Sequence, residues 1–162
     1  MSSKENCSVW IKKLSTVFLI ILSLVISSGL HPVSQAQDPL PLKVKTVTSF
    51  DGTPIAYRDY LCENPKGVLL LFHGIQSHGG WYERSSQMLA DNGYCVYFPD
   101  RRGAGLNQQN RGNLTRHEDL VRDSDVFLDL IKKNHGNIPL FLMGVSWGGK
   151  QALLYASSRQ EH

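Results

Sequence analysis

The 162-residue chain carries 17 Lys and Arg against 14 Asp and Glu, a formal net charge of +3, and 41% of its residues are hydrophobic. Three of the cations, Lys4, Lys12 and Lys13, fall in the first segment, and the rest are scattered or paired without a basic stripe, which excludes nucleic acid as an expected partner. Cys7, Cys62 and Cys95 make no metal-site spacing with the histidines, so no metal is expected.

In chain order, the three lysines precede the apolar stretch Leu14 to Leu30, and Ser34-Gln35-Ala36 puts small residues at positions minus three and minus one of a cut before Gln37. Residues 1–36 are therefore expected to be a signal peptide, and the protein to be exported, secreted or periplasmic. The apolar stretch sits at the lower limit for crossing a bilayer. The alternative is a membrane-anchored protein held by residues 14–30. Residues 37–42 include Pro39 and Pro41 and read as a linker, leaving 43–162 as the folded part.

Val44 to Ser49 and Ile55 to Leu61 flank Asp51-Gly52 and predict a hairpin. Val68 to Phe72 is a continuous apolar run of the kind found in a strand covered on both faces. Tyr82 to Asn92 has helical spacing with Met88 and Leu89 inward, closed by Gly93. Tyr94 to Phe98 is a second buried strand, and Cys95 lies inside it. Export would permit a disulfide, yet two buried free thiols, Cys62 and Cys95, are the favoured expectation. After the polar stretch Asp100 to Leu114, Thr115 and Glu118 read as a capping box for a helix with Leu120, Val121, Val126, Phe127, Leu130 and Ile131 at helical intervals, ended by Gly136. His117 and His135 flank that helix and are expected to face solvent. Two strands followed by alternating helices and apolar strands predict an α/β fold, a mostly parallel sheet with helices on both faces.

The final strand, Pro139 to Met143, runs into Gly144-Val145-Ser146-Trp147-Gly148-Gly149 and then a helix-compatible segment. A Gly-x-Ser-x-Gly turn between strand and helix holds its serine in a strained conformation with the hydroxyl projecting from the sheet, and Gly144 and Gly148 leave room for it. Ser146 is the candidate nucleophile. His73-Gly74-Ile75-Gln76-Ser77-His78-Gly79-Gly80 leaves the C-terminal end of an earlier apolar strand, the edge where open α/β sheets place ligands. Acyl transfer needs two preorganised donors for its oxyanion, and the backbone N–H groups of Ile75 and Trp147 are the candidates.

The sets His73-Gly74-x-x-x-His78-x-Gly80-x-Tyr82, Asp100-Arg101-Arg102-Gly103-x-Gly105 and Gly144-x-Ser146-x-Gly148-Gly149, in this order, resemble the α/β-hydrolases of the monoglyceride lipase and lysophospholipase branch. The resemblance covers Lys43 to His162, the N-terminal half of such a catalytic domain. It implies a cofactor-free serine esterase acting on an acyl-ester or lipid-like small molecule, with Ser146 attacking and Ile75 and Trp147 holding the oxyanion. It also implies that Asp100, Arg101 and Arg102 tie strand ends together.

Where the pattern departs is downstream of the elbow. In such hydrolases the acid and the histidine follow the serine, and the only later pair here is Glu161-His162; a helix running to the end would carry His162 roughly 24 Å from Ser146. No triad acid or base is therefore expected in this chain, and the 162 residues alone are expected to be inactive, as a fold truncated after the elbow helix. His73 and His78 share the sheet edge with Ser146, but the resembled family uses neither as a base. Leu140 to Met143 is expected to be an exposed apolar edge, which favours aggregation. The competing classes are a non-catalytic hydrolase remnant and a peptidase or other hydrolase on the same fold.

Overall fold

A computed structural model of the protein describes residues 44–159. The expected leader, 1–36, and linker, 37–42, lie outside them. Strands β1 (Val44–Thr48) and β2 (Pro54–Tyr60) form the expected antiparallel hairpin, with Thr48 opposite Pro54. Its turn closes through Ser49 N–H donating to the Thr53 carbonyl at 2.8 Å, and Gly52 takes the left-handed conformation that Asp51-Gly52 signalled, at φ 83°.

Strand β3 (Gly67–Phe72) leads through a 3₁₀ turn, Gly79–Tyr82, into helix α1 (Glu83–Asp91). There follow β4 (Tyr94–Pro99), helix α2 (His117–His135), β5 (Leu140–Gly144) and helix α3 (Trp147–Ser158). The sheet runs β1-β2-β4-β3-β5. It is mixed: β1, β2 and β4 pair antiparallel, whereas β3 pairs parallel with both β4 and β5. The three parallel strands end on one edge, so the loops after β3, β4 and β5 converge there.

Every residue of β3 is buried, and the reason is that successive side chains enter different cores. Val68, Leu70 and Phe72 pack with Ile55, Tyr57, Cys95 and Tyr97 under Phe127 and Ile131 of α2 and Ala152 of α3. Leu69 and Leu71 join Val96 and Phe98 on the opposite face, beneath Tyr82 and Leu89. Burying a side chain of this size stabilises by about 1.5–3 kcal/mol, and β3 contributes on both faces at once. β5 pairs with β3 alone among the described strands, and Phe141 and Met143 are 47% and 46% exposed.

Four local expectations need correction. Met88 is 57% exposed rather than inward, because α1 buries Ser86 and Ala90 and packs Leu89, and position 88 falls on the far side of that stripe. The capping box does not form: α2 starts at His117 behind an extended Arg116, one residue past the proposed Thr115 cap. Its first turn instead carries Glu118 and Asp119, which complement the helix dipole. His135 is half-buried and bonded to the Tyr97 hydroxyl at 2.9 Å, where helix end and strand meet. Finally, Cys62 and Cys95 form a disulfide, with Cα atoms 5.2 Å apart. The sheet order explains it: β2 lies directly beside β4, so the residues just past Tyr60 come alongside Cys95.

Candidate active site

The elbow forms as the sequence predicts, and its strain is visible in the backbone. Ser146, between the end of β5 and the first residue of α3, has φ 55° and ψ −117°, a region that residues with a side chain rarely occupy. Such a conformation persists only where the surroundings impose it. Val145 N–H donates to the Phe72 carbonyl at 3.0 Å, fixing the entry, and Gly148 and Gly149 N–H groups donate back to Val145 and Ser146 at 2.9 and 3.0 Å, fixing the exit. A Cβ on Gly144 would overlap the Gly148 backbone, and one on Gly148 would overlap the Phe72 carbonyl. Gly149 is different, since its nearest neighbour would be an ordinary 3.6 Å away. Ser146 itself is exposed.

Because Phe72 pairs with Gly144, the loop after β3 leaves the sheet beside the elbow. A Cβ on Gly74 would stand 3.5 Å from Ser146 Cβ and 3.9 Å from its Oγ, an ordinary contact that places the loop backbone next to the serine side chain. His73 is 2% exposed and uses both ring nitrogens: Nδ1 bonds the Gly74 carbonyl at 2.8 Å, and Nε2 accepts from Arg101 N–H at 2.9 Å. An acceptor at Nε2 requires the proton on Nδ1, and burial holds the ring's pKa below its usual 6.5, which keeps it neutral. Since C=O and N–H of a trans peptide point in opposite directions, a Gly74 carbonyl held by the His73 ring turns the Ile75 N–H the other way. The next residue, Gln76, is also left-handed, at φ 58°. Trp147 opens α3, where the first N–H groups have no intrahelical acceptor.

The loop after β4 is organised around Asp100, which is fully buried. Its carboxylate accepts from Gly79 N–H at 2.7 Å, Leu106 N–H at 2.9 Å and Arg58 Nη1 at 3.2 Å, while Arg58 Nε reaches Glu83 at 3.1 Å. One carboxylate thus joins β2, the 3₁₀ turn and the glycine-rich loop. Gly105 is required beside it, because a Cβ there would overlap the carboxylate. Asn107 completes the fold of this stretch by donating to the Asp100 carbonyl at 2.6 Å and accepting from Ala56 N–H at 2.9 Å. Arg102 also serves as a tie, bridging Asp123 at 2.6 Å and Asp51 at 2.9 Å. Arg101 does not: its guanidinium lies over the Trp147 ring, 4.3 Å from the centroid, and it pairs with no carboxylate among the described residues.

The sheet edge therefore brings together Ser146, Gly74, Ile75, Trp147 and Arg101. None of the other described histidines is hydrogen-bonded to Ser146. His78 Nδ1 accepts from Gly80 N–H at 3.1 Å, His135 is engaged with Tyr97, and His117 is exposed at the start of α2. Among the described residues no group of three or more metal-ligating side chains forms a metal site. The placement of Arg101 on Trp147 and the left-handed Gln76 escaped sequence reading, because both depend on how three loops meet.

A family described as serine aminopeptidase, S33 (Hydrolase_4), matches residues 63–162. Monoglyceride lipase of Homo sapiens is 33% identical over 98 residues, covering 60% of this chain and 32% of the human protein. Proline iminopeptidase of Thermoplasma volcanium is 33% identical over 112 residues. Among solved structures, a soluble variant of monoglyceride lipase from Saccharomyces cerevisiae, bound to a substrate analogue, superposes with a TM-score of 0.62 at 30% identity, over 75% of this chain and 40% of that one. The chain spans about a third of the human relative it matches. On this agreement of sequence, fold and elbow, the chain belongs to the α/β-hydrolase superfamily, within the Hydrolase_4 family.

Proposed function

We propose that the protein is a serine hydrolase of acyl esters, of the monoglyceride lipase or lysophospholipase kind, with Ser146 as nucleophile. The observation that carries this reading is the strained Ser146 beside Gly74, with Trp147 following the serine and Ile75 following the glycine. In the proposed reaction Ser146 Oγ attacks the ester carbonyl carbon while its proton passes to a general base, which is not among the described residues. The tetrahedral oxyanion accepts hydrogen bonds from Ile75 and Trp147 N–H, each such donor being worth roughly 10²–10³ in rate. Collapse expels the alcohol, and water then releases the acid from the acyl-serine. The chemistry needs no cofactor. Resemblance to monoglyceride lipases supports an acyl-ester substrate.

The same reading has the protein exported, or held at a membrane by residues 14–30. A leader with lysines ahead of an apolar stretch supports it, as does the Cys62–Cys95 disulfide, a bond that persists in oxidising compartments. A peptidase is the second reading, favoured by the family's description and by the proline iminopeptidase relative. The native protein assayed against 1-monoacylglycerol, a lysophospholipid and an aminoacyl p-nitroanilide separates them. Hydrolysis of the esters alone is expected, and turnover of the anilide with no ester hydrolysis would replace the lipase reading by the peptidase one.

A further inference from the structure

A cavity of about 520 Å³ opens on the same sheet edge, lined by Ile75, Ser77, His78, Arg101, Arg111 and Trp147 among others, and no Asp or Glu among the described residues lines it. Arg102, which also lines it, is already neutralised by Asp51 and Asp123. The other two arginines are not. Arg111 bonds only neutral acceptors, the Gly105 carbonyl at 3.2 Å and Gln108 at 3.0 Å. Arg101 is stacked on Trp147, 4.3 Å from the ring centroid, and pairs with no carboxylate among the described residues. Two guanidinium groups without a described carboxylate partner, lining one cavity beside Trp147, are the complement of an oxyanion with several acceptor lone pairs.

We propose that this cavity is an anion subsite, in which Arg101 and Arg111 hold a phosphate or carboxylate group borne by the acyl-ester substrate. The proposal rests on the hydrolase reading for its substrate, and it assigns the site to anionic esters over neutral ones. Arg101 is placed to act there because its backbone N–H is fixed by His73 and its guanidinium is braced by the indole, which leaves the fork preorganised.

Titration calorimetry of the native protein with decyl phosphate and with the neutral 1-O-decylglycerol tests it, using Arg101→Gln and the exposed Arg111→Gln. Decyl phosphate is expected to bind at least about tenfold more tightly than the neutral ether, as a charge-assisted contact implies. That preference is expected to shrink to about twofold or less in Arg101→Gln, to fall in part in Arg111→Gln, and to weaken as salt is raised. Equal affinities in the unmodified protein, or a preference kept intact by both arginine variants, would overturn the subsite; the Arg111 variant guards against a fold lost with the Arg101 stack. Inorganic phosphate displacing decyl phosphate at millimolar concentration supports a site for the phosphate group itself, and failure to displace supports a headgroup held together with its chain. Fluorophosphonate labelling of Ser146 in the same samples reports on the hydrolase reading separately, because phosphate preference with no labelling would keep the subsite while removing the esterase.

Discussion

Gly148 and Gly149 are adjacent in sequence and alike in composition, yet the structure asks different things of them. A methyl on Gly148 would enter the space of the Phe72 carbonyl, part of the β3 backbone that cannot yield, whereas one on Gly149 meets ordinary contact. Gly148→Ala is therefore expected to cost about 3 kcal/mol or more. Gly149→Ala is expected to be neutral or stabilising by up to about 1 kcal/mol, since alanine suits a helix better than glycine. Denaturant melts of the two variants check this, and equal effects would contradict the elbow geometry.

His73 carries a second residue-level expectation. Burial lowers its pKa in the folded state below 6.5, so the unfolded chain takes up the proton first as pH falls. The stability linked to it is complete above about pH 6.5 and is lost progressively below, toward the lower folded-state value. His135 shifts in the same direction, also through burial, so the comparison must be with a variant. The melting temperature is expected to fall more steeply from pH 7 to pH 5 in the unmodified protein than in His73→Gln. Parallel profiles would contradict a buried neutral imidazole. Asp51, held well below the usual carboxylate range by Arg102, contributes a separate loss that begins only below about pH 4.

At the scale of elements, the site depends on three loops being held at one edge, and Asp100 is the group that holds two of them. Its acceptors satisfy Arg58, whose side chain is 5% exposed, together with two backbone N–H groups. Asp100→Ala leaves that guanidinium with Glu83 alone, and breaking a buried pair from one side costs about 3–5 kcal/mol. The expected result is a loss of that size in denaturant melts; a change under about 1 kcal/mol would show the carboxylate to be dispensable.

Elements were legible in the sequence where a single local signal decides them. The apolar run of β3 read correctly because burial on both faces removes any alternation, and the Asp51-Gly52 hairpin read correctly because its turn chemistry is local. The start of α2 differs by one residue: Thr115 and Glu118 satisfy a spacing rule, but the helix begins behind an extended Arg116 with no side-chain cap. Met88 was misread because nothing in the pattern told the packed stripe of a short helix from the residue beside it.

For the whole molecule, the fold class was legible from the order of strands and helices, and the strained turn at Ser146 from the glycines that follow β5. What stayed hidden required the order of strands across the sheet. Cys62 and Cys95 are separated by β3 and α1 in sequence, and only the β2–β4 adjacency puts them in bonding distance. Arg101 over Trp147 is of the same kind, a meeting of the β4 and β5 loops that no single stretch of sequence encodes. Local chemistry was thus readable, and juxtaposition across the sheet was not.

The most direct test of the central claim is to treat the native protein with a fluorophosphonate and map the adduct by peptide mass spectrometry. A single phosphonyl group on Ser146, lost in Ser146→Ala and in heat-unfolded protein, is the expected result. Folded protein that takes up no label, or an adduct on another residue that survives Ser146→Ala, would contradict the assignment of Ser146 as an activated nucleophile.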